Sequence, residues 1–180
     1  DANCHALARY AALCQEAGLV PMVEPEVLMS GDHDIDLAYD ITELTLKTLF
    51  QHLYEHDVLL EGTILKTSMV VPGDQCPQQE SVEEVAEATI NCLLNSVPAS
   101  LAGIVFLSGG QSEVEATEHL NAMNQMGNHP WPLSFSYGRA LQASSLKVWG
   151  QNPLADNKAS QQELAHRSRM NGMATMGDYK

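Results

Sequence analysis

The strongest constraint on the fold of this chain is the alternation of short apolar runs with helical segments along its 180 residues. The apolar runs cover residues 20–28, 58–71, 104–107 and 132–137. Apolar residues at helical spacing or helix-capping residues mark segments 3–17, 36–56, 81–97, 112–126, 139–148 and 158–172. Strands that alternate with helices predict an α/β fold with a parallel sheet covered by helices.

Two helix starts have a specific signature. Ser81 is followed by Glu84, and Ser112 is followed by Glu115, which is the spacing of a capping box. In a capping box each side chain satisfies a backbone N–H group that the first helical turn leaves unpaired. Gly18, after the first helical segment, fits a C-terminal cap. The sequence therefore predicts the beginning of two helices and the end of a third.

The length of the chain limits the size of the sheet. A complete (β/α)8 barrel needs ~250 residues, so this chain could supply half of one. An open four-stranded sheet is also compatible with the pattern. Residues 150–156 are expected to form a linker to the last helix, and the pattern fades after residue 172, which predicts a mobile tail.

Composition excludes several classes of protein. The net charge is −14, which argues against a nucleic-acid partner because such proteins carry basic surfaces. No apolar run reaches the ~18 residues of a membrane helix, so a soluble globular protein without a membrane partner is expected. Cys4, Cys14, Cys76 and Cys92 form no Cys-x-x-Cys pair and are expected to be free thiols in a reducing compartment. The chain starts within a helical pattern and without Met, which suggests a fragment or a processed protein.

Lys66 is the first candidate catalytic residue, because it follows the apolar run that begins at Val58. Burial disfavours a charged lysine, lowers its pKa and leaves a neutral amine that can attack a carbonyl group. A lysine that reaches solvent at a strand end fits the same pattern.

Glu24 and Glu26 form the second candidate group. They lie two residues apart in the first apolar run, so both side chains would be on one face of a strand. Neighbouring carboxylates repel each other, and one of them can keep its proton and act as an acid. A polar strand end that faces water is the alternative.

Two loops are candidates for binding phosphate. Ser108, Gly109 and Gly110 connect the third strand to a capped helix, whose N-terminal N–H groups attract anions. The segment Ser136–Arg139, with Ser136, Tyr137, Gly138 and Arg139, follows the fourth strand, and Arg139 could bind a phosphate with paired donors. An ordinary turn and a surface arginine are the alternatives.

Metal binding is not expected. Gly31–Asp34 contains carboxylates and a histidine, but it precedes a helix, where Asp is a common cap. The other histidines do not have a spacing that is typical of metal ligands.

Four motifs in order resemble class I fructose-bisphosphate aldolases over nearly the whole chain. They are Val23–Val27, Leu60–Lys66, Leu107–Gln111 and Phe135–Ser144. The resemblance implies a (β/α)8 TIM barrel, of which the chain carries about the last four strand–helix units. It places the half-barrel in residues 1–150, and the linker, C-terminal helix and start of a tail in residues 151–180.

The resemblance also implies an activity, the reversible cleavage of fructose 1,6-bisphosphate to dihydroxyacetone phosphate and glyceraldehyde 3-phosphate. Lys66 matches the Schiff-base lysine, Glu24 the general acid/base and Glu26 the carboxylate that supports imine formation. Ser108, Gly109, Gly138 and Arg139 match the ligands of the ketose-side phosphate, with Ser136 and Tyr137 on the same wall. No metal or other cofactor is needed, since the protonated imine withdraws the electrons. A cytoplasmic homotetramer in glycolysis and gluconeogenesis is implied, and a plastid location is also compatible.

The chain departs from the family pattern at two points. Thr67 stands where many members have proline after the lysine, and Tyr179 is not assigned the role of the catalytic tail tyrosine of animal members. The first four strands of the barrel, which complete the pocket and hold the second phosphate, would lie outside this sequence. Three alternatives remain: another Schiff-base sugar-phosphate lyase, a metal-dependent aldolase, and a non-catalytic half-barrel.

Overall fold

The computed structural model describes residues 1–151 and 157–180. Helix α1 (Ala2–Glu16) precedes four strands, β1 (Met22–Val23), β2 (Ile64–Thr67), β3 (Gly103–Phe106) and β4 (Leu133–Phe135). The helices that follow them are α2 (Ile35–Glu55), α3 (Val82–Ser96), α4 (Glu113–Met126), α5 (Arg139–Gln151) and α6 (Lys158–Ala174). A short 3-10 turn, Leu60–Gly62, precedes β2.

The strands form one parallel sheet in the order β1-β2-β3-β4. Val23 pairs with Leu65, Lys66 pairs with Val105, and Phe106 pairs with Phe135. Sequential parallel strands joined by helices are the arrangement expected from the alternating pattern, so the α/β prediction is confirmed.

The two faces of the sheet differ in burial. The face under the helices is apolar and almost fully buried: Val23, Leu65, Ile104, Phe106 and Leu133 are at most 3% exposed. On the opposite face Met22 is 38% exposed, and Ile64, Lys66, Val105 and Ser134 are partly buried. Because side chains alternate along a strand, the helix layer fixes which residues point to the other face.

The predicted helix starts are confirmed. Ser81 and Ser112 each accept from the N–H group of the glutamate three residues later, and that glutamate accepts from the N–H group of the serine. Asp34 caps α2, with its Oδ1 2.9 Å from the N atom of Leu37. The predicted role of Asp as a helix cap in this segment is confirmed.

The strand β1 is shorter than the apolar run that predicted it. The run covers residues 20–28, but β1 ends at Val23, so Glu24 and Glu26 follow the strand instead of lying in it. Pro25 has no N–H group to donate to a neighbouring strand, which explains why the ladder stops there.

The last helix packs against α4 and α5. The chain after it returns to α4, where the N–H group of Tyr179 donates to Asn121 Oδ1 at 3.0 Å and Gln125 donates to Gly177 O at 3.0 Å. The expected linker overlaps α5 at Gly150 and Gln151, and its remaining residues, 152–156, lie outside the described residues.

Replacing Leu65, which is fully buried between the sheet and the helices, tests this layering. Leu65→Ala should lower the free energy of unfolding by about 2–5 kcal/mol, because it removes buried methylene groups and leaves a cavity. Leu146→Ala is the matched control, since Leu146 on α5 is 57% exposed and should cost at most ~0.5 kcal/mol. Urea unfolding measures both values, and equal costs would contradict the assigned faces.

Candidate active site

The carboxyl ends of the four strands lie at one edge of the sheet, because all neighbouring pairs are parallel. The residues that follow these ends include Glu24 after β1, Ser108 after β3 and Ser136 after β4. Lys66 lies in the last half of β2. This edge is where α/β proteins collect their ligand-binding groups.

Lys66 and Glu24 form an ion pair across β1 and β2. Lys66 Nζ lies 2.9 Å from Glu24 Oε1, and the side chains are 19% and 46% exposed. The pairing of Val23 with Leu65 explains the contact, because Glu24 directly follows Val23 and Lys66 directly follows Leu65. The structure thus brings together two of the three residues that the sequence predicted to be catalytic.

Glu26 follows Glu24 by two residues, and its side chain makes no hydrogen bond within the described part of the chain. The segment around it is held by Ser68, whose Oγ lies 3.3 Å from the N atom of Val27 and 3.4 Å from its carbonyl oxygen. Glu24 and Glu26 both line a cavity of about 680 Å³ between β1, α1 and α2. The two carboxylates line this cavity from the segment after β1, and not from one face of a strand as the sequence predicted.

The loop between β3 and α4 has a glycine-dependent shape. Gly109 and Gly110 have φ angles of 47° and 80°. A Cβ atom on Gly110 would lie 2.4 Å from Met29 Sδ, so a methionine from the β1–α2 loop packs directly on this glycine. Ser108 is buried, and its carbonyl oxygen accepts from the N–H group of Gln111 at 2.9 Å.

The segment after β4 divides into a buried and an exposed part. Gly138 and Arg139 are exposed at the start of α5. Tyr137 is 5% exposed, and its hydroxyl group donates to Ala116 O on α4 at 2.7 Å. Burial raises the pKa of Tyr137 well above its ordinary value. Its side chain therefore belongs to the helix layer, and its backbone is what lies at the carboxyl edge.

Helices α4 and α5 begin next to these loops. The first turn of a helix has unpaired N–H groups and the positive end of the helix dipole, which together attract anions. The two loops form a rim with the cationic Arg139 at the start of α5, while the first turn of α4 carries Glu113 and Glu115. The arrangement suits a phosphate group.

Sequence reasoning missed the contacts that hold this rim. His119 on α4 is 7% exposed, and its Nδ1 lies 2.6 Å from Gln111 Oε1. Because an amide oxygen accepts hydrogen bonds, Nδ1 carries the proton in this contact. Neither His119 nor Met29 belongs to a motif, so no signal in the sequence marks them.

The β1–α2 and β2–α3 loops are also joined by backbone hydrogen bonds. The N–H groups of Gly73, Asp74 and Gln75 donate to the carbonyl groups of His33, Met29 and Gly31, each at 2.8 Å. A Cβ atom on Gly73 would lie 2.2 Å from Gly31 O, so this close approach requires glycine. These hydrogen bonds fix the loop that carries Met29.

The described residues contain no group of three metal-ligating side chains. Among the described residues, all the cysteines are free, as the sequence predicted. The helices of the described ranges are too short or too polar to span a membrane.

A family model for class I fructose-bisphosphate aldolase matches residues 1–180. The chain belongs to this aldolase family. It is 61% identical to the probable class 1 fructose-bisphosphate aldolase of Xylella fastidiosa (strain 9a5c), over 100% of this chain and 54% of that protein. It is 53% identical to fructose-bisphosphate aldolase B of Sparus aurata, over 99% of this chain and 49% of that protein.

A solved aldolase structure agrees with the fold. The chain superimposes on fructose-bisphosphate aldolase from Plasmodium falciparum with a TM-score of 0.95 and 45% identity, over 99% of this chain and 51% of that one. The chain thus spans about half the length of the aldolases that it matches. The resemblance seen in the four sequence motifs and the predicted half-barrel are both confirmed.

The contact between Gly110 and Met29 can be tested by substitution. Gly110→Ala should lower the free energy of unfolding by ~1–3 kcal/mol, because a side chain is strained at this φ angle and meets Met29. Adding Met29→Ala should restore part of the loss. Gly172→Ala on α6 is the control with the opposite expected sign, about 0.5–1 kcal/mol more stable, since nothing lies near its added Cβ. Thermal or urea unfolding measures all three variants.

His119 gives a pH test. Burial lowers the pKa of His119, although Glu115 and Glu83 partly oppose this. Below about pH 6.5, the ordinary pKa of histidine, the unfolded chain therefore binds a proton that the folded chain resists, and stability falls as the pH falls. Above that pH both states are neutral and this contribution disappears. His119→Gln should flatten the decline measured by urea unfolding from pH 7.5 to 5, whereas His166→Gln, at an exposed position, should retain it.

Proposed function

We propose that this chain is the carboxyl-terminal half of a Schiff-base aldolase that cleaves fructose 1,6-bisphosphate reversibly. The products are dihydroxyacetone phosphate and glyceraldehyde 3-phosphate. One observation carries the proposal: Lys66 Nζ lies 2.9 Å from Glu24 Oε1, at the same sheet edge as two helix N-termini. A nucleophilic amine, a proton acceptor and an anion site are the groups that this reaction needs.

In this proposal Lys66 attacks the ketone carbon of the substrate. The attacking amine must be uncharged, and Glu24 is placed to accept the proton that the ammonium group gives up. Loss of water from the adduct leaves a protonated imine. The imine draws electrons from the carbon–carbon bond as a carboxylate takes the proton of the C4 hydroxyl group, and the aldehyde leaves. The resulting enamine is then protonated and hydrolysed, which releases the ketose product and returns the amine.

Glu24 and Glu26 are the proposed proton carriers. Glu24 is in contact with the amine, so it is assigned the transfers at the reacting carbon and its hydroxyl group. Glu26 is on the same cavity and is assigned a supporting role in imine formation. Neighbouring carboxylates can divide the roles of acid and base, because each makes ionisation of the other harder.

The proposed phosphate site comprises the β3–α4 loop and the start of α5. Its residues are Ser108, Gly109, Gly110, Ser136, Tyr137, Gly138 and Arg139. The exposed backbone of Gly138 and the guanidinium group of Arg139 support this assignment, with Tyr137 contributing through its backbone. Holding the ketose-side phosphate here places the adjacent carbonyl group toward Lys66.

The assembly and location of the protein are further proposals. The chain matches about half of each related aldolase, so we assign the second phosphate and the remaining barrel strands to a segment that precedes it. A cytoplasmic homotetramer that works in glycolysis and gluconeogenesis is consistent with the family, and a plastid location is compatible with the same residues. No metal takes part in the proposed reaction.

Borohydride reduction in the presence of dihydroxyacetone phosphate tests the assignment of Lys66. The full-length protein should gain a covalent adduct on Lys66, located by peptide mass spectrometry, and Lys66→Arg should lower kcat by at least ~10⁴-fold. Lys47→Arg is the control, because Lys47 is a surface residue of α2 that pairs with Glu43. An adduct on another residue, or unchanged turnover in Lys66→Arg, would refute the proposal.

Two further measurements distinguish the proposal from a related Schiff-base lyase and from a non-catalytic half-barrel. In a panel of sugar phosphates, cleavage of fructose 1,6-bisphosphate should dominate, whereas a related Schiff-base lyase would prefer another substrate. Each polypeptide chain of the native protein should have about twice the 19.6 kDa of this sequence, and a polypeptide mass of 19.6 kDa would favour a non-catalytic half-barrel.

A further inference from the structure

The first turn of α4 is joined to the second turn of α5 by one carboxylate, and both helices begin at the proposed phosphate site. We propose that Glu113 is a positioning residue: its contact with Ser144 fixes the separation and tilt of the two helix N-termini that bind the ketose-side phosphate. This inference rests on the proposed function and extends it to a residue that does not itself touch the substrate.

Glu113 binds α5 through both of its carboxylate oxygens. It is the first residue of α4 and is half-buried. The N–H group of Ser144 donates to Oε1 at 3.0 Å, and the hydroxyl group of Ser144 donates to Oε2. Two hydrogen bonds to a planar carboxylate restrict both the distance and the orientation of the helices.

Helix α6 holds the same turn from the other side. Arg167 is 6% exposed, and its guanidinium group donates to the carbonyl group of Glu113 and to Thr117 Oγ1. Asn171 extends this contact, with its Oδ1 2.6 Å from Thr117 Oγ1. The backbone of Glu113 is therefore fixed to α6 while its side chain is fixed to α5.

The position of Glu113 explains why the phosphate should depend on it. Gly109, Gly110 and Ser112 immediately precede Glu113, and Gly138 and Arg139 lie five or six residues before Ser144. Backbone N–H groups have fixed directions, so an anion shared by two helix starts depends on their separation. A misplacement of about 1 Å can cost about 100-fold in binding or rate, so even a partial release of α5 is measurable.

Charge and position predict opposite effects of removing Glu113. A carboxylate near a phosphate repels it, so a purely electrostatic effect would make Glu113→Ala and Glu113→Gln bind phosphate more tightly. A positioning effect makes Glu113→Ala bind it more weakly. Glu113→Gln retains one acceptor for Ser144, and it should therefore bind phosphate nearly as well as the unmodified protein.

The experiment compares two ketones that differ by one phosphate group. In the full-length protein, borohydride trapping on Lys66 is measured against the concentration of dihydroxyacetone phosphate and of dihydroxyacetone. Glu113→Ala should raise the half-saturating concentration about tenfold for dihydroxyacetone phosphate and change it less than ~2-fold for dihydroxyacetone. Glu118→Ala is the matched control on the same helix, since no described hydrogen bond joins Glu118 to α5, and it should change neither value.

Ser144→Ala provides a second test through non-additivity. If Glu113 acts through Ser144, the double variant should lose no more affinity for dihydroxyacetone phosphate than Glu113→Ala alone. Independent, additive losses would overturn the proposed contact.

The outcomes also separate this inference from the proposed function. Equal losses for both ketones in Glu113→Ala would show a general structural role and overturn the positioning role, as would tighter binding of dihydroxyacetone phosphate. In either case trapping on Lys66 in the unmodified protein would leave the aldolase proposal intact. An unmodified protein that traps neither ketone on Lys66 would overturn the proposed function and this inference with it.

Discussion

The parallel register between β1 and β2 is the constraint on which the site depends. Val23 lies opposite Leu65, so the next residues, Glu24 and Lys66, come within 2.9 Å of each other. In a parallel sheet a one-residue slip would send one of these side chains into the helix layer. The register is held by the buried side chains of Val23 and Leu65 themselves, which are both fully buried against the helices. Packing on one face of the sheet thus places the chemistry on the other.

The loops at the carboxyl edge are also positioned by packing contacts and hydrogen bonds from other parts of the chain. The backbone hydrogen bonds between the β1–α2 and β2–α3 loops bring Met29 over Gly110, where an added Cβ atom would displace the methionine side chain. His119 supports the loop from α4 through Gln111. Loops of this kind are shaped by contacts with one another, and the short strands beneath them supply the fixed base. A rigid base with ligand-binding loops at one end is the general arrangement of barrel enzymes.

Three helices on one side of the sheet share a buried polar network. Arg167, Thr117 and Asn171 connect α6 to α4, and Glu113 with Ser144 connects α4 to α5. Removing one partner of a buried hydrogen bond is costly because it leaves a polar group without water or protein. Arg167 Nε and Asn171 Nδ2 are already buried without partners among the described residues. Groups without partners offset part of what the hydrogen bonds contribute, so such a network is weak evidence for stability.

The sequence alone determined the alternation of strands and helices, the three caps at Asp34, Ser81 and Ser112, and the family to which the chain belongs. These features depend on residues that are close in the chain, since a cap involves neighbours three positions apart and a helical face repeats within a few residues. Lys66, Glu24 and the glycine loops could also be named in advance, because family motifs are local in sequence.

Tertiary structure decided the remaining features. One of them is the end of β1 at Val23, two residues before Pro25. The others are contacts between residues that are distant in the chain: the Tyr137 hydroxyl group with the Ala116 carbonyl group, Met29 with Gly110, and Glu113 with Ser144. Such contacts depend on how the register of the sheet and the packing of the helices bring separate segments together. A single sequence does not specify these distances, and they become fixed when the buried faces of the sheet and helices pack against each other.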